Sequence, residues 1–125
     1  MSARTLGILL RSAGHEPAHY ALVLATGAAA VGRGVVLFAT NAGLALFHRD
    51  APLTADPREA VLAARGVAGI TTLAEAAADL GIRRIACDAG LRAEGFAPEA
   101  LAEGVEVAGV VTFLEAVGDG QVVAL

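Results

Sequence analysis

Cys87 is the only cysteine in the chain, and it closes an apolar run, Arg83-Arg84-Ile85-Ala86-Cys87, that meets a turn at Asp88-Ala89-Gly90. A lone thiol forms no internal disulfide, which leaves two readings: a small buried hydrophobe, or a reactive nucleophile. A strand-to-helix junction offers unpaired backbone N–H groups that favour a sulfur anion, whereas an adjacent carboxylate, here Asp88, opposes one.

A second constellation, His15-Glu16-Pro17-Ala18-His19, matches H-E-x-x-H, where a helix sets two histidines on one side for zinc. Pro17 is expected to open the helix, because its missing N–H has no partner at a first helical position. His15 would then lie outside the helix, so the spacing is read as chance and no metal is assigned. The remaining role for His15 is as a neighbour of Cys87 or as a solvated loop residue. His48 is expected to end a short helix.

These side chains need elements to position them. Residues 5–10 form a continuous apolar run, the mark of a strand buried on both faces, as in a parallel sheet covered by helices. A helix is expected over residues 17–31, a second buried strand over 34–40, and a short helix from Asn41, as its cap, to about His48. Residues 49–56 read as a surface loop around Pro52. Asp56-Pro57 opens another helix that stops near Gly66, and Thr72-Leu-Ala-Glu75 matches a capping box for a helix ending at Gly81. A third strand at 82–87 follows, then helical segments at 91–94 and from Pro98. A fourth strand at 105–109, a helix at 111–117 and a terminal strand at 121–125 complete the chain, with no linker or internal repeat.

The alternation predicts one domain, residues 1–125, built as a three-layer α/β/α sandwich on a mostly parallel sheet of about five strands. Ligands bind outside the carboxyl ends of such strands. The candidates there are Arg11, Ser12 and His15 after the first strand, Thr40 and Asn41 after the second, Cys87 and Asp88 after the third, and Thr112 after the fourth.

Composition narrows the partners. With 125 residues, 56% hydrophobic and 18% charged, the chain fits one buried core. A net charge of −4, with nine Lys and Arg spread along the sequence, excludes the basic stripe that nucleic acid requires. Residues 20–47 carry Arg33 as their sole charge, yet Gly32-Arg33-Gly34 divides them into pieces shorter than the roughly 20 residues a membrane span needs. They are expected to be a buried helix and a buried strand. The apolar residues 6–10 are too few for a secretory leader, and the single thiol implies no oxidising compartment, so a cytoplasmic location is expected. The uncharged helix body at 21–31 calls for cover on two sides, by the sheet and by a neighbouring subunit.

Ile85-Ala86-Cys87-Asp88, followed by a short helix and then Gly104-Val-Glu-Val-Ala-Gly-Val-Val-Thr-Phe-Leu114, resembles the DsrE/DsrF-like family, which includes the sulfur-relay subunits called TusD and their peroxiredoxin-labelled relatives. Phe38-Ala39-Thr40-Asn41 with Gly43-Leu44 is a third point of likeness, and the order of elements agrees from about Thr5 onward. The resemblance implies a homo-oligomer, often a trimer or hexamer, without a cofactor. It implies that Cys87 carries sulfane sulfur as a persulfide between donor and acceptor proteins; Asn41, Asp88, Thr112 and His15, candidates from the strand ends, are the binding residues expected around it. Relatives often place Met-Ser where this chain has Ala89-Gly90. A sulfurtransferase or sulfur carrier is therefore one expectation, and a noncatalytic binding or scaffolding subunit of the same fold is the alternative.

Overall fold

The computed structural model describes residues 4–125. Residues 1–3, which precede the apolar residues 6–10 weighed as a secretory leader, lie outside the described residues. The apolar runs become β1 (Leu6–Leu10), β2 (Val35–Ala39), β3 (Arg83–Cys87), β4 (Glu106–Ala108) and β5 (Gln121–Ala124). All pairings are parallel, in the order β4-β3-β2-β1-β5, so the sheet is wholly rather than mostly parallel.

The inner strands β1 and β2 bury two faces, which is why their sequences do not alternate, whereas the edge strands β4 and β5 are largely exposed. On one face Leu6, Ile8, Leu10, Leu37 and Ala86 join residues of α1 (His15–Ala30) and α3 (Ile70–Asp79) in the larger core. On the other, Val36, Phe38, Ile85 and Cys87 pack with Phe113 and Val117 of α5 (Val110–Val117). The rings of Phe38 and Phe113 stack there, with centroids 4.8 Å apart. The short helices α2 (Arg58–Ala64) and α4 (Asp88–Ala93) and three 3₁₀ segments, Asn41–Phe47, Pro52–Ala55 and Pro98–Ala100, complete the chain.

Four expectations change. Helix α1 begins at His15, not Pro17: Gly14, at φ 98°, takes the turn before it, and Pro17 falls among the first helical residues, whose N–H groups have no intrahelical acceptor. The Thr72–Glu75 capping box does not form, because α3 starts at Ile70 and a more distant group, Glu59 Oε1, accepts the Ile70 N–H at 3.0 Å. Asn41 is not a cap but the first residue of its 3₁₀ segment, at φ 51°. Finally, α3 of the same chain packs on the apolar body of α1, cover that the sequence reading assigned to the sheet and a neighbouring subunit, and Ala21, Leu22, Ala25 and Ala28 are buried. Among the described residues no helix is long and apolar enough to cross a membrane.

Candidate functional site

The site grows from the end of β3. Its alternation sends Ile85 and Cys87 to the α5 face and Arg84 and Ala86 to the other. Cys87 is the last strand residue and also the cap of α4: its Sγ accepts the Gly90 N–H at 3.4 Å. At 8% exposure the thiol sits at the margin of the second core, under the carboxyl edge of the sheet.

That edge draws in the neighbouring strand ends. Gly90 packs so closely on the end of β2 that a Cβ there would collide with Thr40 Oγ1 and stand 2.9 Å from the Asn41 nitrogen. Thr40 Oγ1 donates to Asn41 Oδ1 at 3.1 Å, which holds the two side chains together over the left-handed turn at Asn41. On the other flank Asp88 Oδ1 lies 3.6 Å from where a Cβ of Gly109 would stand, beyond β4. Asp88 Oδ1 also accepts the Ala89 N–H at 2.7 Å, and its Oδ2 is 3.8 Å from Arg92 Nη1 one helical turn on.

The edge strand β4 is held in register by a two-pronged pair, Arg83 Nε to Glu106 Oε1 at 2.6 Å and Nη2 to Oε2 at 3.1 Å. The guanidinium hydrogen bond holds the Glu106 carboxyl below the usual carboxylate range and raises Arg83 in return.

Of the residues expected at the site, Cys87, Asp88 and Asn41 are therefore brought to one edge. Thr112 rides in the first turn of α5, three residues past Gly109, and is partly buried. His15 is not brought to Cys87; it lies on the α1 side, where its buried ring donates from Nε2 to Glu59 Oε2 at 2.7 Å. Because α1 includes both histidines, the H-E-x-x-H spacing is helical after all, and the rings stack with centroids 5.6 Å apart. Their Nε2 atoms nevertheless serve different acceptors, Glu59 for His15 and the Ala68 carbonyl, at 2.9 Å, for His19. Arg11 is exposed, its N–H bonded to the Leu125 carbonyl at 3.0 Å.

Sequence reasoning passed over Gly90 and Gly109. For Gly90 the signal was present: a glycine in the first turn of a helix costs stability unless a neighbouring chain needs the space.

No protein-family model matches the chain, and no curated protein matches it either. Solved structures do. The ychN protein from E. coli is 15% identical, with 98% of this chain and 99% of that one covered and a TM-score of 0.68. A protein of unknown function, MTH1491 from Methanobacterium thermoautotrophicum, is 20% identical over 99% of this chain and 100% of its own, with a TM-score of 0.58. At these identities the likeness is one of architecture: the chain has a DsrE/YchN-like fold.

Proposed function

We propose that the chain is a sulfur carrier in which Cys87 holds sulfane sulfur as a persulfide and passes it to an acceptor thiol. The supporting observation is the Gly90 N–H directed at Cys87 Sγ, at the edge of a parallel sheet where ligands bind. The Cys87 thiolate attacks the outer sulfur of a donor persulfide, R–S–SH. A new S–S bond forms, the donor S–S bond breaks, R–S⁻ leaves with the electron pair, and the proton stays on the transferred sulfur. An acceptor thiolate then takes that sulfur in the same way and returns Cys87 as a thiolate, with no net oxidation. The Gly90 N–H donates to Cys87 Sγ and stabilises it as the attacking and departing thiolate.

Purified protein treated with polysulfide is expected to gain about 32 Da, one sulfur, on Cys87, and Cys87→Ser is expected to gain nothing. An unchanged mass, with a thiol inert to alkylation in the native state, fits the alternative of a noncatalytic subunit. The burial of Cys87 among Phe38, Ile85 and Phe113 favours that second reading.

In the same reading the chain self-associates, through the outer face of α5 rather than through α1. Val110, Val111 and Leu114 are at least half exposed there, an apolar stripe that water does not favour. Light scattering at micromolar concentration is expected to give a multiple of the chain mass; a monomer would remove this part of the reading.

A further inference from the structure

Arg84 is a cation without a counterpart. It lies on β3 between the exposed Arg83, which pairs with Glu106, and Ile85 in the core. Strand alternation turns its side chain to the face of α1 and α3, where the residue is partly buried beside the larger core. The guanidinium lies over the backbone of Gly104, with Nη2 2.5 Å from where a Cβ would be, and Gly104 itself takes a turn at φ 85° that favours glycine. Its Nε is closed off from solvent with no hydrogen-bond partner, and Arg84 makes no ion pair among the described residues. A charge held against apolar surface costs free energy unless an opposite charge or hydrogen bonds meet it.

The space beside that cation is not filled. A cavity of about 70 Å³ is lined by Arg84 together with Leu22, Phe47, Ala77 and Val105. Leu46, Ala74 and Ala102 also line it, and the same three residues line a second cavity of about 200 Å³. The two spaces thus adjoin across these three residues, a neck flanked by the Asn41–Phe47 segment, α3 and the chain leading into β4. Protein interiors rarely leave voids larger than a water molecule, and an apolar space of about 150 Å³ is enough to take a benzene ring. The outer space also has Arg49 and Glu75 in its lining, so its charges offset one another, whereas the inner end holds Arg84 alone.

We propose that this double cavity binds a small monocarboxylic acid with an apolar body. Its carboxylate meets the Arg84 guanidinium as a two-pronged pair, and its hydrocarbon part lies along Leu46, Ala74 and Ala102 toward the outer space. A guanidinium matches the planar carboxylate in both geometry and charge. One unpaired cation balances one negative charge, and Glu75 in the outer lining disfavours a ligand carrying a second. The site lies on the α1/α3 side of the sheet, is not lined by Cys87, and does not depend on sulfur chemistry.

Benzoate is a suitable probe, with benzyl alcohol as its uncharged counterpart, and titration calorimetry on the full chain reads the binding. Benzoate is expected to bind saturably at one site, and benzyl alcohol at least about tenfold more weakly, the difference a charged hydrogen-bonded pair supplies. Arg84→Met is expected to lose benzoate by a similar factor without a fall in Tm, since the cation has no partner to forfeit. Ala74→Leu fills the neck and is expected to lose benzoate as well, which keeps the test decisive if Arg84→Met folds poorly. Cys87→Ser, which lies outside the lining, is expected to bind within about twofold of the parent, below the cost of a charged contact. Absence of saturable benzoate binding, equal binding of benzyl alcohol, or retention in Arg84→Met or Ala74→Leu would overturn the proposal. Because Cys87→Ser keeps this site, failure of the sulfur-carrier reading leaves the result intact.

Discussion

Phe113→Ala is expected to lower the unfolding free energy by about 3–5 kcal/mol, the usual cost of removing a buried ring. Phe113 is 1% exposed and stacks on Phe38, an arrangement that contributes about 0.5–1.5 kcal/mol beyond the buried area itself. The core it serves is small. Its other buried members are Val36, Phe38, Ile85, Cys87 and Val117, and α5 is the helix that packs with them, so little is available to move into the space left behind. Measured against a typical total of 5–15 kcal/mol, this is a large fraction of the stability of the chain. Urea denaturation of Phe113→Ala and Phe113→Leu checks it, with the leucine variant expected to lose about 1.5 kcal/mol or less because more of the volume is kept. A loss below about 1 kcal/mol in Phe113→Ala would show that α5 is not the support of this face. Cys87 shares the cluster, so alkylation of its thiol should be faster in any Phe113→Ala protein that stays folded.

Gly90→Ala is the second large effect, and here its sign is informative. In an unobstructed helix the change gains about 1 kcal/mol, because alanine is the better helix former. At this position the new methyl group would collide with Thr40 Oγ1 and press on the Thr40 Cα, 3.2 Å away, and on the Asn41 nitrogen. The expected outcome is a loss of about 1–3 kcal/mol, as for other overpacked sites. The turn must shift to relieve the contact, moving the N–H away from Cys87 Sγ, so persulfide loading is expected to fall by about tenfold, the worth of one charge-assisted hydrogen bond. Combining Gly90→Ala with Thr40→Ala removes the side-chain part of the clash and should recover some stability. An increase in Tm for Gly90→Ala alone would contradict the close packing of the two strand ends.

The fold was legible because its signals are local. Runs such as Leu6–Leu10 and Val35–Ala39 are apolar throughout, and a strand buried on both faces has no other pattern available. Helix ends marked by glycine were likewise readable: Gly66 and Gly81 have φ of 73° and 71°, as helix-terminating turns require. The misreadings arose where a distant group outweighed a local one. Glu59 takes over the cap of α3 from the Thr72–Glu75 box, and the same carboxylate draws His15 into α1 and away from the thiol. No spacing in the sequence joins positions 15, 59 and 70. The cover of α1 by α3 was missed for a related reason, since an all-apolar helix does not say which chain shields it. At the candidate site, Cys87 and Asp88 are neighbours in sequence and needed only the strand end to be recognised. The contacts of Gly90 with Thr40, and of Gly109 with Asp88, depend on strand order, which the sequence does not state.

The central claim is that Cys87 carries sulfur which can leave again, and cyanolysis reads this directly. After polysulfide treatment and desalting, cyanide removes sulfane sulfur as thiocyanate and leaves an intact thiol. The expected result is about one thiocyanate per chain, return of the protein to its starting mass, and none released from Cys87→Ser. Release of no thiocyanate, or equal release from Cys87→Ser, would contradict the claim and leave the chain as a noncatalytic member of its fold.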